Sequence, residues 1–214
     1  MAYEVQAKTG PVLGQDGSLV DLRTTRDCAL AVGDVHGRYY ENASRGLTFV
    51  ATTATAGIAP GTALTATPPL ALVNPAGSGK NIEILKVIFA YVSGTLGAGS
   101  LWYCQGLNPT TLPLETAAAI RSCTLLSGVT TNANDVSKAY SGVSLTNTPV
   151  IIRSSAFSLD AYVGTVTTWN PPNIEEIASS IILTPGAFFA IEGIAGAGTS
   201  PLVSLAIEYA VVPQ

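Results

Sequence analysis

Residues 70–92, LALVNPAGSGKNIEILKVIFAYV, limit the fold of this chain more than any other stretch. Two apolar runs, Leu70 to Val73 and Lys80 to Val92, flank the break Asn74-Pro75-Ala76-Gly77-Ser78-Gly79. The second run is rich in β-branched and aromatic residues, and only Lys80, Glu83 and Lys86 within it are charged. A turn cluster between such runs predicts a β-hairpin or a tight sheet corner. Pro75 fixes φ and lacks a donor, while Gly77 and Gly79 permit positive φ, so the break is well specified. From Val87 onward both alternating faces are apolar, with Val87, Phe89 and Tyr91 on one and Ile88, Ala90 and Val92 on the other. That pattern predicts a core strand covered on both sides, in the middle of a sandwich or against a neighbouring subunit.

Gly77-Ser78-Gly79-Lys80 imitates the end of a phosphate-binding loop. That motif needs an earlier glycine where this chain has Asn74, and a Ser or Thr after the lysine where it has Asn81. The following segment reads as a strand, so no helix N-terminus faces an anion. The stretch is a structural turn.

The rest of the chain carries the same β signature. Apolar residues make up 47% and charged ones only 11%, well below the usual quarter. Twenty-one glycines and thirteen prolines suit short strands joined by tight turns. So little charge would leave the surface of a soluble monomer poorly solvated, which predicts cover by other chains. A net charge of −4 gives no footprint for nucleic acid. The first twenty residues hold no continuous apolar run of the secretory kind. Ile181 to Ile194 is broken by Pro185, Gly186 and Glu192, so no apolar stretch is long enough to span a membrane as a helix. Cys28, Cys104 and Cys123 are odd in number and lack CxxC spacing, as expected of reduced, buried thiols.

Charge is concentrated at one end. Residues 1–45 carry 11 of the charged side chains and the other 169 residues carry 13. Gly10-Pro11, Gly14, Gly17, Gly33 and Gly37 interrupt this segment, and Cys28 to Val32 is its main apolar run. Such a segment gains little by packing on itself, so residues 1–45 are expected to form an extended arm ordered by what it lies against. Arg23, Arg26, Arg38 and Arg45, with Leu30, Val32, Tyr39 and Tyr40, are its candidate partner-binding residues.

Residues 46–214 read as one all-β domain. Expected strands include Leu47 to Thr52, Leu101 to Cys104, Val143 to Thr146, Val150 to Arg153, Ala161 to Thr168, Ile182 to Thr184, Ala187 to Ile191 and Leu202 to Val212. Thr116 to Arg121 has the composition of a short helix, although Cys123 to Leu126 also fits a strand. Pro185-Gly186 marks a turn, and Gly193 to Ser200 reads as a hairpin loop. Eight or more strands without repeated helices favour an antiparallel β-sandwich of jelly-roll type over a parallel sheet.

No catalytic constellation emerges. Gly33-Asp34-Val35-His36-Gly37 matches the first signature of calcineurin-like metallophosphatases, but His36 is the only histidine and the later motifs are missing. A Ser-His-Asp triad would need the same histidine and finds no nucleophile elbow. Glu175-Glu176 is an adjacent pair, whereas glycosidase carboxylates converge from separate elements. It reads as a solvated loop or strand end. Trp102, Tyr103 and Trp169 suggest a sugar-stacking platform, or core and interface aromatics.

Three stretches carry a family resemblance: Gly37-Arg38-Tyr39-Tyr40-Glu41 running on to Arg45-Gly46-Leu47-Thr48-Phe49, the turn from Leu72 to Lys80, and Leu183-Thr184-Pro185-Gly186 before the last strands. Over residues 37–212 the chain resembles virion structural proteins of tailed bacteriophages, of the capsid decoration or cement kind. The resemblance implies a non-enzymatic β-sandwich, often a homotrimer, made in the bacterial host cytoplasm. Such a protein binds the major capsid protein or another virion protein and bridges subunits of the shell. No cofactor, metal, nucleic acid or membrane is expected. The alternative is a receptor- or carbohydrate-binding module of a tail fibre or baseplate.

Overall fold

The structure, a computed structural model, describes residues 37–95, 99–107, 122–128, 133–159, 173–194 and 198–214, and the backbone of residues 7–8 and 22–23; side chains of 122–124 and 156–159 lie outside the description. The chain divides into two compact units, Met1–Glu41 and Asn42–Gln214. In the first unit, β1 (Ala7–Lys8) pairs in parallel with β2 (Leu22–Arg23), Ala7 opposite Leu22. A short helix, α1 (Tyr40–Ser44), spans the boundary and ends at Gly46, whose φ of 67° lies in the left-handed region.

The second unit is a jelly roll. Its strands are β3 (Thr48–Thr52), β4 (Leu70–Val73), β5 (Lys80–Ser93), β6 (Gly99–Leu107), β7 (Ser122–Thr124), β8 (Lys138–Tyr140), β9 (Val150–Leu159), β10 (Asn173–Leu183), β11 (Ala187–Ile194) and β12 (Leu202–Pro213). One sheet runs β10-β5-β12-β3-β7 and the other β8-β4-β11-β6-β9. Without β7 and β8, these are the neighbour orders of two interlocked Greek keys. The connection from β6 to β9 supplies both short strands, β7 extending the first sheet beside β3 and β8 the second beside β4.

Strands adjacent in sequence therefore mostly change sheet, and this decides several local questions. The break at residues 74–79 is a corner between β4 and β5, in opposite sheets. Gly77 and Gly79 take φ of 79° and 65° there. Pro185-Gly186 is likewise a corner, with Ala187 N–H donating to Thr184 O at 2.9 Å and Gly186 at φ 86°. The hairpin expected across 193–200 does not form: β11 and β12 lie in different sheets, and β12 pairs with β3 and β5 instead. Val143 to Thr146 is not a strand either. It lies over the second sheet, where Leu145 N–H bonds to Ala66 O of another loop and Leu145 is buried. Of the ambiguous stretch, Ser122–Thr124 form β7, while residues 108–121, with the helix expected at Thr116 to Arg121, and the strand expected at 161–168 lie outside the described residues.

The main core fills the space between the sheets. Phe49, Leu72, Ile84, Val87, Phe89, Tyr103, Phe189, Leu205 and Tyr209 are all buried in it. In β5 the inward residues are Ile82 and Ile84, then Val87 and Phe89, a change of parity that needs one extra residue. Leu85 is that residue: Ile84 pairs with Tyr209 and Lys86 with Glu208, so a bulge keeps both halves facing the core.

A second cluster of Ala71, Val73, Cys104, Tyr140, Leu145, Phe188 and Ala190 lies on the outer face of the second sheet. Loops including Leu64 and Val143 cover it, so β4 and β11 are buried on both faces. Within the chain, β5 is not covered on both sides, which leaves the expected alternative of cover by a neighbouring subunit. Its outward residues Ile88 and Ala90 are only half-buried and Val92 is 38% exposed, and among the described residues no hydrophobic cluster lies on that face as one does on the second sheet. The outer row of that sheet instead sets Lys86 between Glu176 and Glu208, with Lys86 Nζ 3.2 Å from Glu208 Oε2.

Candidate functional site

Asn74, which replaces the glycine of a phosphate loop, is a structural fastener. It is fully buried, and its Nδ2 donates to Lys80 O and Leu183 O, each at 2.8 Å. Ser78 Oγ donates to Asn74 Oδ1 at 2.6 Å, and Gly186 N–H donates to Asn74 O at 2.8 Å. One side chain thus ties the β4–β5 corner to the β10–β11 corner. Its donors and acceptor are all engaged, leaving none for an anion.

A polar cluster closes the side of the sandwich where β9 and β10 end their sheets. Tyr103 donates to Glu175 Oε2 at 2.6 Å, Arg153 Nη2 meets Glu175 Oε1 at 2.5 Å, and Ser155 Oγ lies 3.4 Å from Glu175 Oε2. Glu175 is therefore no solvated strand end: the alternation of β10 points it inward while Glu176 faces water. Burial, and then the hydrogen bond to Glu175, hold the Tyr103 phenol well above its ordinary range. Burial pushes the Cys104 thiol up to about 12, so neither group is a nucleophile near neutral pH. Cys104 is free and buried, as expected; Cys28 and the Cys123 side chain lie outside the described residues.

Around this cluster the surface is aliphatic. Val150 (67% exposed), Ile151 and Ile152 open β9, and Ile174 (57%) and Ile182 lie on β10. A register step opposite Tyr103 and Cys104 leaves Ile152 unpaired, and on this edge strand all five residues from Val150 to Ser154 are exposed. Exposed Leu107 adjoins them: Asn147 Nδ2 donates to its carbonyl at 2.6 Å, and Gln105 Nε2 of the same strand donates to Ile182 O at 3.2 Å. Both strands are edge strands, with backbone donors and acceptors that no neighbouring strand takes up among the described residues.

On the outer face of the second sheet, Glu192 lines a pocket of about 300 Å³ under the loop before β4. Glu192 is 1% exposed. Gly193 N–H donates to Pro60 O at 2.7 Å, and a Cβ on Gly193 would come within 2.3 Å of that oxygen, so glycine is what lets the loop lie on β11. Burial pushes the Glu192 carboxyl up to about 7, partly offset by the backbone N–H of Thr65. In the sequence Glu192 stands out only as the one charge interrupting an apolar run.

Of the residues singled out in the arm, Arg38 sits over the Tyr39 ring, 5.5 Å from its centroid, and Tyr40 and Arg45 are exposed. Arg23 contributes backbone to β2; Arg26, Leu30 and Val32 lie outside the described residues, as do Asp34, His36 and Trp169. Trp102 and Tyr103 are successive residues of β6 and face opposite ways, Trp102 to the outer cluster and Tyr103 to the main core, so they form no common platform. Among the described residues no group of three or more His, Cys, Asp or Glu is placed to hold a metal ion, and no helix is long and apolar enough to cross a membrane.

No known protein family matches the chain, and no curated protein matches its sequence. Among solved structures it is similar to a chain of "a marine algae virus of the order Picornavirales", at 15% identity and a TM-score of 0.23, over 100% of this chain and 85% of that one. A score of that size carries no argument, and the fold assignment rests on the strand order alone.

Proposed function

We propose that this chain is a non-enzymatic virion structural protein, a decoration or cement subunit of a tailed-phage capsid. It self-associates, as a trimer, and bridges subunits of the shell after synthesis in the host cytoplasm. The observation that carries this reading is the aliphatic edge of β9 and β10: Val150, Ile151, Ile152, Ile174 and Ile182 are exposed on the two strands that end their sheets among the described residues. Isolated exposed aliphatics are ordinary, but five of them along two strands that are edges among the described residues favour a surface that another chain covers. The low charge of residues 46–214 points the same way. In this reading the arm, through Arg23, Arg26, Leu30, Val32, Arg38, Tyr39, Tyr40 and Arg45, grips the major capsid protein or another virion protein. The tail-fibre or baseplate carbohydrate module is less well supported, since Trp102 and Tyr103 face opposite ways.

Co-sedimentation with shells lacking the native protein tests the proposal. The full chain is expected to pellet with such shells and raise their melting temperature. A chain that stays in the supernatant, or binds glycans and not shells, would overturn the decoration role.

A further inference from the structure

The pocket over β11 is unlike the rest of the surface, and its physics calls for a ligand. Glu192 is 1% exposed, accepts from Thr65 N–H, and has its Oε1 buried without a hydrogen-bond partner. Its cross-strand neighbour Trp102 also keeps a buried indole N–H without a partner. No Lys or Arg occurs in residues 57–69, β4, β6 or β11, the segments packed around this carboxyl. A buried charge without a countercharge is costly and is resolved by a proton or by a bound cation. The cavity of about 300 Å³ has room for a molecule well beyond one water, whose share of liquid volume is about 30 Å³.

The walls select the cation. Ile58, Ala59, Ala63 and Pro69 make them largely apolar, with Thr62 and Thr65 supplying hydroxyls. A hard metal ion needs about six oxygen ligands or retained water, which such walls do not offer. An ammonium group on a short aliphatic body matches both parts: three donors for the carboxylate and hydroxyls, and methylenes for the apolar wall. We propose that this pocket binds a small primary ammonium compound, with Glu192 as its anionic anchor. The inference does not depend on the role in a shell.

The titratable and charged side chains on this face of the packed elements are Cys104, which feels the charge of Glu192, and, on β8, Tyr140 of the neighbouring cluster and the exposed Lys138. Burial keeps the Cys104 thiol protonated at neutral pH, so it adds no charge beside Glu192. With its carboxyl at about 7, affinity for a cation rises about tenfold between pH 6 and pH 8 as the anion forms.

Isothermal titration of the full chain with n-butylammonium chloride, 1-butanol and sodium butyrate, at constant ionic strength and pH 8, tests this. Butylammonium is expected to bind one to one, at least tenfold more tightly than butanol, with butyrate silent and affinity falling at pH 6. Glu192→Gln should abolish binding. Ala63→Leu, at an exposed wall position, should block the cavity while keeping the carboxyl and the melting temperature. The proposal is overturned if butylammonium does not bind, if butanol binds equally well, if calcium chloride displaces the amine, or if either folded variant binds as wild type does.

Discussion

Glu192 and Asn74 show how single buried polar residues shape this molecule. The Glu192 carboxyl titrates near 7 in the folded chain against an ordinary 4.5, so between those values the folded state holds more protons than the unfolded state. Its effect on stability is therefore favourable at low pH and is lost as pH rises through about 7, by roughly 3 kcal/mol in all. Urea titrations should show wild type losing stability between pH 5 and pH 8, and Glu192→Gln should flatten that slope. Asn74→Ala removes two donors from Lys80 O and Leu183 O, and is expected to cost roughly 2–3 kcal/mol in the same assay, with no ligand-binding defect. That 74–79 is a turn and no phosphate site was legible, because the motif residues are absent. What Asn74 does there was not, since Leu183 lies 109 residues away.

Among the elements, β5 repays the weight its sequence carries. Phe89 is buried in the main core, and Phe89→Ala should cost roughly 3–5 kcal/mol by thermal or chemical melting. A variant melting within a degree or two of wild type would remove β5 from the core. Local pattern located β3, β5, β6, β11 and β12, because alternation and turn residues are short-range signals. It misread one pairing, that of β11 with β12. In a jelly roll a strand's neighbours come from distant sequence, so the glycine-rich run before β12 looks like a hairpin although β11 and β12 belong to different sheets. The double burial expected of β5 falls to β4 and β11, since that depends on which face the loops cover. The aliphatic edge was visible only as the run Val150-Ile151-Ile152; that β9 and β10 are the edges is a property of the sheets.

At the scale of the whole molecule, the jelly roll has its own core in residues 42–214, and the candidate arm precedes it. Deleting residues 1–36 should leave a chain with the circular dichroism and melting of a folded β domain that no longer pellets with shells. Loss of the fold would make the arm part of the sandwich, and undiminished attachment would assign the contact to the sandwich itself. The central claim is that the aliphatic edge of β9 and β10 is covered by another copy of the chain. Sedimentation velocity of dilute wild type beside Ile152→Lys/Ile174→Lys, two exposed positions on that edge, tests it most directly. A discrete oligomer three times the monomer's mass is predicted for wild type, and a folded monomer for the variant. A wild-type chain that sediments as a soluble monomer, or a variant that associates as wild type does, would contradict it.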